Sequence, residues 1–205
     1  MIAEKHQPII FLISAPSGAG KTTLCDMLRE EFKGTLRGVV TVTTRPPRPG
    51  EMEGASYRFF SPADFELHAT AGAFLEQATV HGYRYGTPRG TVTHILHRGQ
   101  DVLLNVDVQG AASVRAAIHA AQPGTDLCVP LVDIFIAPPS FEVLQARLTE
   151  RGQDSAEVIE RRLQQAAIEM DRYREFQYLV INDDLLVAYD KLRAIVLAER
   201  ARIRK

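Results

Sequence analysis

Tryptophan is absent from the 205 residues, and cysteine occurs only at Cys25 and Cys128. Two thiols so far apart in sequence make neither a disulfide scaffold nor a cysteine-based metal site; two buried thiols in a reducing compartment are expected. No stretch approaches the ~20 consecutive apolar residues needed to cross a bilayer. The opening segment, Met1 to Pro8, is short and polar without an apolar signal core, so a cytoplasmic, soluble protein is expected. An excess of one charge is also missing: 24 basic residues face 25 acidic ones. That balance argues against a broad electrostatic grip on nucleic acid or on an anionic membrane, and any basic site must be local. Nothing in the chain requires a protein partner. Lysine is scarce, and most of the positive charge is arginine, the better fork for phosphate and carboxylate. The six histidines, at 6, 68, 81, 94, 97 and 119, show no metal or triad spacing; His94 and His97 are three apart but lack a third ligand.

What is present fits one α/β domain: 45% apolar residues in a chain long enough to bury a core. Strand-like runs fall at Ile9–Ile13, Val39–Thr43, Tyr57–Phe60, Val102–Val106, Val129–Ile136 and Tyr178–Ile181. Several are continuously apolar, as strands covered on both faces should be. Between them lie helical patterns. Leu24, Met27, Leu28 and Phe32 recur at helical spacing, and Ser61, Pro62 and Asp64 read as N-cap, first-turn proline and third-position acid. Ser140 can cap a further helix that Gly152 ends, Asp154 and Glu157 read as a capping box, and Ile159, Leu163, Ala166 and Met170 share one face. Alternating strands and helices predict a mostly parallel sheet with helices on both faces, whose ligands collect at the carboxyl ends of the strands. Two excursions interrupt the alternation, near Arg45 to Tyr85 and near Arg151 to Glu157.

Directly after the first strand, residues 14 to 23 read Ser-Ala-Pro-Ser-Gly-Ala-Gly-Lys-Thr-Thr. Gly18 and Gly20 let the backbone curl into a nest of N–H groups for phosphate oxygens, and a helix N-terminus follows it. Lys21 adds a mobile charge for β and γ phosphates, and Thr22 a hydroxyl for Mg²⁺. Ala15 stands where the strict pattern has glycine. A second constellation runs from Thr43 to Tyr57, where Arg45 and Arg48 lie on a stretch stiffened by Pro46, Pro47 and Pro49. Each guanidinium can offer two parallel donors to a phosphate.

That segment, with Phe74-Leu75-Glu76, Tyr83-Arg84-Tyr85-Gly86-Thr87 and Asp107-Val108-Gln109-Gly110, closely resembles guanylate kinases. The resemblance continues through Ile136 to Ser140, Arg147-Leu148 with Arg151-Gly152, Arg162-Leu163 and Val180 to Asp184, so it covers nearly the whole length. It implies a P-loop NTPase core (1–43, 86–150 and 158–205), an inserted GMP-binding lobe at about 44–85 and a mobile lid at about 147–165. The implied reaction is ATP plus GMP going to ADP plus GDP, with Mg²⁺ accompanying ATP.

Carried onto this sequence, the resemblance sets the GMP phosphate against Arg45, Arg48, Tyr57 and Tyr85, and the guanine near Thr41, Glu76, Thr87 and Asp107. An ionised Glu76 would accept from N1–H and the exocyclic amine together, a pairing adenine cannot supply. ATP falls to Ser17, Gly18, Ala19, Gly20, Lys21, Thr22 and Thr23. Asn182 and Asp183 are candidates for the adenine end, or equally an N-cap for the last helix. Arg147, Arg151 and Arg162 become lid residues closing over the transferring phosphoryl, catalytic together with Lys21 and Arg45. Two positions depart from the familiar pattern. Thr41 stands for a serine and keeps the hydroxyl; Asn105 stands for an acid near Mg²⁺ and removes a charge, leaving Asp107 as the acid of that strand end.

Overall fold

The computed structural model describes residues 7–80, 82–150 and 156–204. Strand β1 (Ile10–Ser14) is followed by helix α1 (Lys21–Glu31), then β2 (Leu36–Gly38), β3 (Val42–Thr43), β4 (Arg58–Phe59), α2 (Pro62–Thr70), β5 (Phe74–Val80) and β6 (Tyr83–Pro88). The chain continues with α3 (Arg89–His97), β7 (Asp101–Asn105), α4 (Val108–His119), β8 (Leu131–Ala137), α5 (Phe141–Glu150), α6 (Ala156–Asp171), a 3-10 turn at Arg172–Glu175, β9 (Tyr178–Ile181) and α7 (Leu185–Ala201).

Five strands form a wholly parallel sheet in the order β2-β7-β1-β8-β9. The apolar run entering β1 is continuous because both faces are covered. Ile9, Phe11 and Ile13 join a cluster with Leu24 and Leu28 of α1 and Leu192 and Val196 of α7, whereas Ile10 and Leu12 join Val92 of α3 and Ala111, Val114 and Ile118 of α4. Alternate residues of one strand thus feed two separate cores. β1 lies at the centre, so the loop leaving its carboxyl end opens between β7 and β8.

The excursion after β2 builds a second sheet, β4-β3-β6-β5, in which β6 runs antiparallel to both neighbours. The expected strand at Val39–Thr43 is divided. Val39 still donates to Leu103 O at 3.3 Å, but the Thr41 carbonyl accepts from Arg58 N at 2.9 Å, because the chain changes sheets between them. The register of β5 on β6 shifts between Phe74 and Glu76, and Phe74, Leu75 and Glu76 are all buried. Strict alternation would expose one of the three; the irregularity turns Glu76 inward opposite Thr87. Helix α2 begins as the sequence implies: Ser61 is the N-cap, its Oγ accepting from Asp64 N at 3.1 Å, with Pro62 following.

Helices α5 and α6 pack on each other through Leu144, Leu148 and Ala166, flanked by Ile159, Leu163 and Met170, the face read from periodicity. Ser140 Oγ accepts from Val143 N at 3.3 Å. Arg151, Gly152 and Asp154 lie outside the described residues, as do His6 and His81. The expectation of two buried thiols fails at Cys128, which is exposed beyond α4, while Cys25 is buried in α1. No helix among the described residues is long and apolar enough to cross a membrane.

Candidate active site

One cleft of about 310 Å³ lies at the carboxyl ends of β1 and β7 and reaches across to the second sheet. One end of it is the loop after β1, with Ser17, Gly18, Ala19, Gly20, Lys21, Thr22 and Thr23 all on its wall. Both glycines are required here. Gly18 and Gly20 have φ of 93° and 86°, in the left-handed region that a side chain disfavours. A Cβ on Gly18 would also lie 3.0 Å from Leu144 and Leu148, so the missing side chain lets α5 rest on the loop. The side chain of Asn182 occupies the space beside Gly20 and donates to Ala19 O at 2.7 Å. Lys21 reaches across the loop to donate from Nζ to Val106 O at 2.6 Å. Burial lowers its pKa, against the opposing influence of Cys25, Asp107 and Glu169.

The far end of the cleft is formed by Thr41, Arg48, Tyr57, Glu76, Ala78, Val80 and Tyr85. Glu76 is 5% exposed and its Oε1 accepts from Thr87 Oγ1 at 2.6 Å. Burial pushes its carboxyl up to about 7, with the nearby Asp107 adding to the rise and the Thr87 hydroxyl working against it. Asp107 caps α4, accepting from Gly110 N at 2.8 Å, and both carboxylates approach the same turn: a Cβ on Gly110 would lie 2.9 Å from Glu76 Oε2 and 3.0 Å from Asp107 Oδ1.

Arg45 and Arg48 differ in position. Arg48 is exposed on the wall of the cleft, whereas Arg45 is buried behind it, its Nη2 held by both oxygens of Glu51 at 2.7 and 2.9 Å and its Nη1 donating to Pro46 O at 2.8 Å. Glu51 Oε2 also accepts from Arg48 N at 2.8 Å. Burial would raise the Glu51 carboxyl, but hydrogen bonds from Arg45 and the Arg48 backbone hold it below the usual carboxylate value. The Arg45 guanidinium lies over the Tyr57 ring, 5.4 Å from its centre, and Tyr57 meets Tyr85 edge-on at 6.0 Å. Sequence reading passed over Glu51, an acid inside a basic segment. Its signal was its place within hydrogen-bonding reach of both arginines on a stiffened turn.

The three arginines of the α5–α6 region separate. Arg162 lines the cleft together with Gln165 and Glu169, two residues the sequence did not single out although they follow it at helical spacing. Arg147 lies away from the cleft wall and donates from Nη1 to Asn182 O at 3.0 Å and from Nη2 to Asp183 O at 3.2 Å. Arg151 is outside the described residues. The cap of α7 is Asp184, whose carboxylate accepts from Leu186 N and Val187 N at 2.9 Å, so neither Asn182 nor Asp183 is the N-cap.

Among the described residues no cluster of three or more His, Cys, Asp or Glu side chains could hold a metal ion. A divalent cation beside that loop would draw on the exposed Thr22 hydroxyl, on substrate phosphates and on water, an all-oxygen set that suits Mg²⁺.

Known proteins resemble the chain over nearly its whole length. The guanylate kinase family model matches residues 5–199. The guanylate kinase of Hahella chejuensis is 47% identical over 95% of this chain and 88% of its own length. That of Chelativorans sp. is 44% identical over 97% of this chain and 86% of its own. The crystal structure of guanylate kinase from Anaplasma phagocytophilum superposes with a TM-score of 0.77 at 29% identity, covering 97% of this chain and 89% of that one. The chain therefore belongs to the guanylate kinase family, and its activity is guanylate kinase.

Proposed function

We propose that the cleft transfers the γ-phosphoryl of ATP in line to an oxygen of the GMP phosphate, with donor and acceptor entering from opposite ends. Both partners are anions, so neutralising charge at the transition state is the main task. Ser17 to Thr23 bind the donor, and Lys21 moves from the Val106 carbonyl to the β and γ phosphates. Mg²⁺, when bound with ATP and held through Thr22, neutralises the phosphate oxygens.

Arg45, Arg48, Tyr57 and Tyr85 receive the acceptor phosphate, and Thr41, Glu76, Thr87 and Asp107 read the guanine. Residues 44–85 act as the acceptor lobe. The α5–α6 hairpin acts as a lid: Arg162 approaches the transferring group, and Arg147 fixes the Asn182-Asp183 segment at the adenine end. The acceptor phosphate is already ionised near neutral pH and needs no general base.

The observation that carries this reading is Glu76, a buried carboxylate in the same cleft as the phosphate loop. A coupled ADP-release assay with GMP, AMP, CMP and UMP tests it. GMP should exceed the others in kcat/KM by about 10⁴; equal use of AMP would overturn the role of Glu76.

A further inference from the structure

Helix α4 carries in its first turn a glycine that its backbone does not need. Gly110 is the third residue of α4, buried, and not among the glycines with positive φ. Glycine is the poorest helix former after proline, so at an ordinary helical position its use is spatial. The space is specific. A Cβ on residue 110 would lie 2.9 Å from Glu76 Oε2, closer than a side-chain carbon approaches an oxygen, and also 3.0 Å from Asp107 Oδ1 and 3.2 Å from Val106 Cβ. Asp107 and Val106 are near neighbours in sequence, and Asp107 is there as the cap, its Oδ1 accepting from Gly110 N at 2.8 Å. Glu76 arrives from another element, strand β5. Its other oxygen, Oε1, is held by the Thr87 hydroxyl at 2.6 Å. The carboxylate is therefore set between β6, which supplies a hydrogen bond, and α4, which supplies room because residue 110 has no side chain.

We propose that Gly110 is a specificity-determining residue for the acceptor base: by lacking a side chain it leaves the Glu76 carboxylate in the position from which it reads the guanine. The proposal rests on the reading of Glu76 as the group that meets the base. An alanine methyl would push Oε2 back by a few tenths of an ångström, because the end of a flexible side chain gives way before the backbone of α4 does. With Oε1 tied to Thr87, the carboxylate can yield only by turning or by releasing that hydroxyl. Two donors read together need both oxygens in place, and hydrogen bonds weaken steeply as their angles close. Adenine presents no such pair of donors, so the loss falls on GMP and not on AMP.

The test measures kcat/KM for GMP and for AMP in the full chain carrying Gly110→Ala, Glu76→Ala or both, with KM for ATP as the check that the rest of the cleft is intact. Gly110→Ala should lower the GMP to AMP ratio by about tenfold or more, approaching the ~100-fold that an ångström of misplacement can cost, with KM for ATP within about twofold. In the Glu76→Ala background the same change should move the ratio by less than about twofold and should not lower the urea midpoint, because the oxygen that met the methyl is gone. Gly90→Ala, in α3 where a Cβ meets nothing within 4 Å, should leave the ratio as in wild type. If Gly110→Ala alone does not fold, the pair decides: a double variant that folds like E76A supports the proposal, and one that also fails overturns it. An equal fall of the urea midpoint with and without Glu76 would lay the crowding on Val106 and overturn it too. A G110A ratio within about threefold of wild type, beside an E76A that has lost its preference for GMP, would overturn this proposal alone. An E76A that keeps the preference would overturn the reading of Glu76 and this proposal with it.

Discussion

Asn182 and Gly20 compete for one volume: the Asn182 amide that donates to Ala19 O at 2.7 Å lies where a Cβ on residue 20 would have to be. The phosphate loop is thus tied to the end of β9, on the far side of β8, through a contact open only to glycine. Asn182→Ala leaves the buried Ala19 carbonyl without this donor, which should cost about 1–3 kcal/mol. Urea denaturation should report that loss, and KM for ATP should rise more than KM for GMP. Gly20→Ala adds both a clash with Asn182 and a strained positive φ, and turnover should fall below about 1% of wild type. Unchanged KM for ATP in N182A would show that the tie does not organise the loop.

The Glu76 carboxyl sets a pH dependence whose sign can be worked out. Its pKa is about 7 in the fold against an ordinary 4.5. The folded chain therefore holds a proton that the unfolded chain has released, and this contribution to stability is complete below pH 4.5 and lost as pH rises through 7. The difference amounts to about 3 kcal/mol. Glu76→Gln should flatten that part of the stability profile and be the more stable variant above pH 7, while losing most of its preference for GMP over AMP. A stability profile between pH 5 and 7.5 identical to wild type would rule out the raised carboxyl.

GMP binding should also displace that proton, since the guanine donors favour the ionised form. Calorimetry at pH 6.5 in buffers of different ionisation enthalpy should show more proton release for wild type than for E76Q. The comparison cancels the titration of the GMP phosphate itself. Equal release in both proteins would mean that Glu76 meets the base already ionised.

The parts of the site legible in sequence are those whose chemistry is local. The loop from Ser17 to Thr23 announces itself because a phosphate nest needs glycines, a lysine and a threonine in consecutive positions, and the Ser61 cap was equally local. Glu76, Tyr85 and Arg162 were reached only through family resemblance, since nothing near them in sequence says that they share a cleft. Glu51 and Glu169 were missed because an acid within a basic segment and an acid on a charged helix both read as ordinary surface. The division of Val39–Thr43 depends on which strands offer partners, a tertiary fact that β propensity does not contain. Cys128 was misjudged for a related reason: thiols are often buried, but a residue in the loop after α4 follows the loop.

Glu51 grips Arg45 with both oxygens and also accepts from the Arg48 backbone, so one carboxylate holds both arginine positions. Glu51→Gln keeps the shape but removes the charge that fixes the guanidinium. KM for GMP should rise about tenfold, with KM for ATP within twofold, because the affected contacts lie at the end of the cleft proposed for the acceptor. Glu51→Asp, shorter by one methylene, should lose the two-oxygen grip and fare no better. An E51Q enzyme with unaltered KM for GMP would show that Arg45 is held well enough by Tyr57 and Pro46.

Asn105 ends β7 on the wall of the cleft, beside the Val106 carbonyl that Lys21 contacts and two positions before Asp107. Asn105→Asp adds a negative charge at that end, and the consequences for metal and for nucleotide have opposite signs. A carboxylate facing the metal's water shell attracts the cation, so the Mg²⁺ concentration giving half-maximal rate should fall about threefold to tenfold. The same charge repels the bare triphosphate, so ATP binding measured in EDTA should weaken by a similar factor. If the charge acted only through general repulsion, metal-free ATP binding would weaken and the Mg²⁺ titration would stay where it is. An unchanged Mg²⁺ curve beside weakened metal-free ATP binding would place residue 105 near the phosphates but away from the metal, and an unchanged pair would remove it from the donor site altogether.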